Sequence, residues 1–277
     1  MATLKNTLID DIGYLQLPSG TTAQRPSSPS AGYMRWNTTD SVVEVYNGSE
    51  WIEWPFDSLD IVTDSLLFFY DASNTTSYPG TGTSLLDLSG NGLTATLTNG
   101  ASYASSDGGS ILLDGTDDSI NLSLDLRRDW SFECWVNHDT VSGFSFLGQG
   151  PTSTNQGLHI WNYNGSAIRF GMYSNDRDFT LSTSTGVWYQ YVFTYTHSSP
   201  YTKKMYRNGV EITTGTNVGG PNQYSGTGTL RIGAIYSSHN GSFADGNFAI
   251  SRMYGKVLSL SEIQKNFDAH KTTYGIS

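Results

Sequence analysis

A single cysteine, Cys134, stands in 277 residues. An intrachain disulfide is impossible, and a thiolate zinc site is excluded. The residue lies in an apolar run and reads as a buried structural thiol. Charge is also scarce: 14% of residues are Asp, Glu, Lys or Arg, and the formal net charge is −10. No Lys/Arg run is present, which argues against a nucleic-acid groove. No segment approaches the roughly 20 apolar residues of a membrane span. Residues Met1 to Asp11 lack the basic region and apolar stretch of a secretory signal. The five His are isolated, without metal-type spacing. No Gly-Xaa-Ser-Xaa-Gly elbow precedes a helix.

Aromatics and glycine are plentiful, with 17 Tyr, 12 Phe, 7 Trp and 30 Gly. Tyr, Trp, Val and Thr suit a pleated surface, and Gly, Asn, Asp and Ser suit turns. An all-β fold of many short strands is expected. The first part, residues 1–56, has its own character. Pro26 and Pro29 disfavour helix in a Ser/Pro-rich stretch. Tyr33 to Asn37, Val42 to Tyr46 and Trp51 to Trp54 then read as three strands, with a hairpin turn at Asn47-Gly48. A meander of this size has a small core and is marginal alone. Residues 57–63 read as a junction, and residues 64–277 as a long run of strands.

In that run, strands are expected at Leu66–Tyr70, Ser110–Leu113, Ser119–Leu122, Trp130–Asn137, Phe144–Gly148, Gly157–Trp161 and Ile168–Tyr173. Trp188–Thr196, Lys203–Arg207, Leu230–Ile235 and Phe248–Tyr254 follow. Tyr189, Tyr191, Phe193 and Tyr195 alternate with smaller residues, the pattern of a half-buried strand. Asn208-Gly209 is a hairpin turn. One helix is expected near the C-terminus. Ser259 and Glu262 fit a capping box, and Leu260, Ile263 and Phe267 share a helical face.

Several of these segments carry a resemblance. Leu67 to Ala72, Leu86-Asp87-Leu88-Ser89-Gly90-Asn91-Gly92, Ile111 to Ile120, Trp130 to Asn137, Trp188 to Tyr195, Lys204 to Gly209 and Phe248 to Glu262 occur in the order of a laminin G-like, concanavalin A-like jelly roll. The resemblance implies a two-sheet antiparallel sandwich with one short C-terminal helix, and a structural calcium near the sheet rim. Many such domains bind glycans, some bind proteins, and a few related folds are hydrolases. Residues 17–54 resemble a different pattern. Pro18-Ser19-Gly20-Thr21-Thr22-Ala23-Gln24-Arg25-Pro26, then Gly32 to Asn37, then Glu44 to Trp51 are similar to small β modules in tail fibres and other structural proteins of tailed phages. That resemblance implies a virion protein, for which particle assembly and lysis would be one route out of a cell without a secretory signal.

Two residue groups are candidate sites. Asp71, Asp87, Asn91, Asp114, Asp117 and Asp118 are the oxygen-rich positions suited to calcium. The competing reading is turn chemistry, which Asp and Asn beside Gly favour without metal. Trp161, Tyr163, Tyr173, Asn175, Asp176, Arg177 and Asp178 form an aromatic and polar stretch that could stack on a sugar ring and hold its hydroxyls. The competing reading places these aromatics in the inter-sheet core.

The case for catalysis is weak. A glycosidase needs two suitably spaced carboxylates. Only six Glu occur, and Glu133 stands alone in its strand. Asp117 and Asp118 are adjacent, so a strand would aim them apart. Asp176 and Asp178 fall in an expected loop. Asn37, Asn74 and Asn164 head Asn-Xaa-Ser/Thr triplets that mark turns, as does Gly80-Thr81-Gly82.

The expectation is therefore a non-enzymatic phage surface protein at the virion surface. Residues 1–56 attach it to other virion proteins of capsid or tail and self-associate, as a trimer for example. The sandwich displays a site for a host surface glycan. A purely structural decoration protein is the alternative, and a glycan-degrading enzyme ranks third.

Overall fold

The computed structural model describes residues 17–54, 61–220, 222–235 and 242–276. Residues 1–16 and 55–56 of the expected attachment segment and residues 57–60 of the junction lie outside the described residues. Two compact units divide the chain, Met1–Leu59 and Asp60–Ser277. No described helix is long and apolar enough to cross a membrane.

The first unit is a four-stranded sheet of β1 (Ser19–Gly20), β2 (Met34–Asn37), β3 (Val42–Tyr46) and β4 (Trp51–Trp54), in that order. The short β1 runs parallel to β2, and the rest is an antiparallel meander. Asn47-Gly48 belongs to a longer loop than a two-residue hairpin, because Tyr46 pairs with Trp51. Asn47 holds it with its side-chain oxygen, accepting from the Ser49 and Glu50 amides.

Each segment of the Gly20–Pro26 stretch has a physical task. Gly20 leaves room for Arg35, whose Nη2 would sit 2.6 Å from an added Cβ. Gln24 accepts from the Thr21 amide at 2.8 Å and closes a short 3-10 turn. Arg25 then reaches buried Glu44 at 2.6 Å, where Arg35 and Asn37 also converge. Burial pushes the Glu44 carboxyl up, but Arg25, Asn37 and Arg35 outweigh it and hold it below the usual range.

This sheet is inverted in polarity. Strand alternation puts Arg35, Asn37 and Glu44 on the covered face. Met34, Trp36, Val43, Val45, Ile52 and Trp54 share the other, where Trp36 is 40% and Trp54 44% exposed.

The second unit is a two-sheet antiparallel sandwich. Its first strands are β5 (Leu66–Asp71), β6 (Ser84–Leu85), β7 (Ala95–Thr98), β8 (Ser102–Ala104), β9 (Ser110–Asp114) and β10 (Ser119–Ser123). Next come β11 (Trp130–His138), β12 (Ser145–Gln149), β13 (Leu158–Asn162), β14 (Ala167–Gly171) and β15 (Asn175–Thr180). The last are β16 (Trp188–Tyr195), β17 (Lys203–Arg207), β18 (Val210–Glu211), β19 (Gly215–Gly219), β20 (Thr229–Ile232) and β21 (Asp245–Tyr254), before the helix α1 (Leu260–His270).

A nine-stranded sheet runs β19-β15-β14-β13-β12-β20-β10-β7-β6. The eight-stranded partner runs β18-β17-β16-β11-β21-β9-β8, with β5 also paired to β21. Between them lies an aromatic core that includes Phe68, Trp130, Phe132, Phe146, Phe170, Tyr191 and Phe193. Cys134 is buried in the same core, and desolvation raises its thiol pKa.

The Tyr-rich strand β16 is not half-buried as its alternation suggests. Tyr191, Phe193 and Tyr195 do face the core. Gln190 and Val192, on the opposite face, are equally buried. The cause is α1, capped by Ser259 and Glu262, which lies over the back of the eight-stranded sheet. Ile263 packs there with Val192 and Tyr254, and Phe267 and Tyr274 stack on Trp135.

A charged cluster sits in this second layer. Glu133 of β11 and Arg252 of β21 pair at 3.2 Å with no side-chain exposure on either. Glu133 also accepts from Gln190 at 3.0 Å and from Asn266 of α1 at 2.6 Å. Arg252 contacts His270 and lies over the Phe69 ring. Desolvation first, and Arg252 second, lower the His270 pKa to about 3, so the ring is neutral and can accept. Asn266 accepts from the Val62 amide, anchoring the start of the unit.

Glu133→Ala leaves Arg252 buried without its counter-charge. Chemical denaturation followed by Trp fluorescence is expected to show a loss of about 3–5 kcal/mol. Replacing both partners, Glu133→Leu with Arg252→Met, is expected to recover most of it. A loss under about 1 kcal/mol for Glu133→Ala, the size of an exposed pair, would remove the cluster from its central role.

Candidate functional site

The residues Trp161 to Asp178 do not form one loop. They run through β13, β14 and β15 of the nine-stranded sheet, next to its edge strand β19. Asn175–Thr180 is the strand β15, joined to β14 by a tight turn in which Met172 N donates to Asn175 O. Tyr173 and Ser174 carry φ of 56° and 63°. Such turns normally need Asn or Gly, so Tyr-Ser hides the hairpin from the sequence. Tyr173 sits at the tip, 38% exposed.

With β15 a strand, alternation sorts its side chains. Phe179 is in the core, so Asn175 and Arg177 face inward with it. Asp176 and Asp178 share the outer face. Their expected loop placement is thereby corrected, and the two carboxylates alternate as neighbours on one strand.

Arg169 of β14, unmarked in the sequence reading, organises the outer face. It pairs across the ladder with Asp178 on one side and Trp161 on the other. Its guanidinium forks Asp178 at 2.8 and 2.9 Å, stands 3.6 Å from Asp176, and lies 4.8 Å over the Tyr163 ring. The Tyr163 hydroxyl donates to Asp178 at 3.3 Å. Trp161 and Tyr163 lie 5.9 Å apart, tilted and half-buried.

His159 completes this face, with Nε2 3.5 Å from Asp176. Gly171 makes room for that approach: an added Cβ would stand 2.0 Å from His159 Nε2. At Gly148 the backbone of Ala234 and Ile235 packs closely against the strand, 2.4–2.6 Å from an added Cβ. Burial raises the Asp176 pKa, but His159, Arg169 and Lys203 outweigh it and hold the carboxyl below its usual range. A general acid needs the opposite shift.

Inward-facing Asn175 and Arg177 line a separate cleft of about 260 Å³ at the edge between the sheets. Lys203 of β17 reaches it from the other sheet and donates to Asn175 O and, at 2.9 Å, to Asn175 Oδ1. Lys203 is 5% exposed, and desolvation pushes its ammonium down to about 7 against the pull of Asp176.

The six oxygen-rich residues also separate. Asp87 is saturated by the amides of Phe69, Ser89 and Leu93 and the Ser89 hydroxyl. Asn91 uses its amide group on the Leu66 and Leu67 carbonyls. Asp71 turns back on Ser73. These three pin loops. Asp114, Asp117 and Asp118 do converge, with one oxygen of each inside 4.8 Å. Strand alternation does not separate Asp117 from Asp118, because both precede β10.

Asp118 is 2% exposed and keeps one oxygen without a hydrogen-bond partner. Burial raises its pKa, reinforced by Asp114 and Asp117. Three carboxylates with a buried open lone pair fit a hard cation of the calcium type, which takes oxygen ligands.

The chain belongs to the concanavalin A-like lectin/glucanases superfamily, whose family model matches residues 114–264. No curated protein matches it in sequence. Among solved structures it is similar to domain 4 of AbnA, a GH43 extracellular arabinanase from Geobacillus stearothermophilus, in complex with arabinotriose. That match has 21% identity and a TM-score of 0.54, covering 73% of this chain and 98% of that one. The Trypanosoma rangeli sialidase matches at 16% identity and TM-score 0.57, over 76% of this chain and 34% of its own. The receptor binding domain of botulinum neurotoxin type G matches at 12% identity and TM-score 0.55, over 74% and 51%. The chain thus spans about a third of the sialidase and half of the toxin domain. At these identities the likeness is one of fold, a jelly roll.

Proposed function

We propose that the sandwich binds a surface polysaccharide of a bacterial host without cleaving it, and that the chain is a phage virion surface protein. The observation that carries the binding reading is the outer-face platform of Trp161, Tyr163, Arg169 and Asp178. The two rings offer stacking surface, while the Arg169–Asp178 fork presents fixed polar groups for hydroxyls. The fork is made before ligand arrives, which cuts the ordering cost of binding. The arabinotriose complex of a structurally similar domain supports a sugar as the ligand class.

The same Arg169 argues against hydrolysis. Asp176 and Asp178 alternate like a catalytic pair, yet both are engaged by one guanidinium, and the Asp176 pKa moves down rather than up.

The virion reading rests on residues 17–54, whose pattern resembles tail-fibre modules. The inverted sheet supports it, because a sheet with its polar face covered and its apolar face exposed suits attachment to a partner surface. Self-association through Met34, Trp36, Ile52 and Trp54 would multiply weak glycan sites by raising effective concentration.

Asp114, Asp117 and Asp118 would hold a structural calcium at the β9–β10 turn. Its contribution is to neutralise the three carboxylates and brace the hairpin, with no part in chemistry.

Trp161→Ala is expected to weaken retention of the protein on host polysaccharide at least tenfold in affinity electrophoresis, and wild type should release no reducing ends. Retention unchanged by Trp161→Ala, or a rise in reducing ends, would contradict this reading. Sedimentation of the full chain should show an oligomer that Trp36→Asp dissociates; a monomer at tens of micromolar would count against self-association. Chelation should lower Tm by several degrees, since a ligand of the native state alone stabilises it. Asp118→Asn should abolish that response, and Asp87→Ala should lower Tm with chelator or without. A Tm indifferent to chelator would dismiss the calcium.

A further inference from the structure

The cleft at the sandwich edge holds more positive charge than its surroundings answer. Arg177 and Lys203 enter it from opposite sheets. Arg177 lies 4.9 Å over the Phe179 ring, and its buried Nε has no hydrogen-bond partner. Lys203 lies 5.7 Å from the Phe170 centroid. Its two hydrogen bonds go to Asn175, a neutral residue, and leave the third ammonium donor open. The anions nearby are committed elsewhere. Glu211 pairs with Lys204 at 3.2 Å, and Asp176, which borders the cleft and acts on Lys203 through space, turns its carboxylate to Arg169 and His159 on the outer face. Lys203 is buried and Arg177 partly so; neither is in an ion pair among the described residues, and Asp176 reaches Lys203 only through space, so two such cations on an aromatic floor are costly unless a ligand supplies further negative charge.

We propose that this cleft binds the carboxylate of an acidic sugar, with Arg177 and Lys203 as its two cationic contacts. The inference rests on the glycan-binding reading in that it names the class of polymer: one containing uronic or similar acids. A guanidinium fork beside an ammonium matches a planar carboxylate. Glu211 in the cleft wall disfavours a dianion such as sulfate. The volume of about 260 Å³ suits one sugar residue rather than a chain. The outer face would hold the polymer, and the edge cleft would select for acid.

Isothermal titration of the full chain with sodium glucuronate, glucose and inorganic sulfate tests the assignment. Glucuronate is expected to bind at least tenfold tighter than either of the others. Arg177→Gln and Lys203→Gln should each abolish that preference, with Lys203→Arg retaining it as the variant that keeps a cation if Lys203→Gln fails to fold. Equal affinity for glucuronate and glucose, equal affinity for glucuronate and sulfate, or a preference unmoved by Arg177→Gln would overturn the proposal. Loss of the acid preference with polysaccharide retention intact removes the cleft alone. Glucuronate titrating into a protein that retains no polysaccharide upholds the cleft and removes the outer-face reading.

Discussion

Burying Glu133 and Arg252 together imposes the strictest requirement on this fold. Neither charge can be left in a dry layer unless the other arrives, and neither position is satisfied by the pair alone. Gln190, Asn266 and His270 must also be in place, and they come from β16 and from the C-terminal half of α1. One cluster therefore fixes the register of three central strands and the seating of the helix. Deprotonated His270 is part of that condition. Its depressed pKa means the unfolded chain takes up a proton that the folded chain refuses between about pH 6.5 and 3, so this contribution is intact above that window and lost as pH falls through it.

The helix that closes the cluster also decides which sheet can meet a ligand. With α1 covering the back of the eight-stranded sheet, the outer face of the nine-stranded sheet is the one left for Trp161, Tyr163 and Arg169. Gly171 and Gly148 shape it further, one by admitting His159 against Asp176 and the other by admitting the backbone of Ala234 and Ile235. The proposed binding platform and the stability cluster thus lie on opposite sides of the sandwich.

Much of the architecture was legible because it is written in local chemistry. Ser259 and Glu262 announced the helix, Asn208-Gly209 the hairpin, and the apolar runs the central strands. What escaped was set by tertiary context. The second buried face of β16 depends on α1, far away in sequence. β15 was obscured by Tyr173 and Ser174, whose left-handed turn has no glycine to mark it. That error placed Asp176 and Asp178 in a loop and hid their partner Arg169, although a lone charge between Ile168 and Phe170 could have drawn notice. Lys203 was counted only as the start of a strand, since nothing in Lys-Lys-Met-Tyr-Arg says which lysine points inward. For the six oxygen-rich residues, sequence could group them but not show that Asp87 and Asn91 already hold backbone partners.

A crystal structure of the chain soaked with an oligosaccharide of the host surface polymer bears most directly on the account. The expected result is an intact oligosaccharide against Trp161 and Tyr163, hydrogen-bonded to the Arg169–Asp178 pair. A ligand bound away from that face, or a cleaved sugar between Asp176 and Asp178, would contradict it.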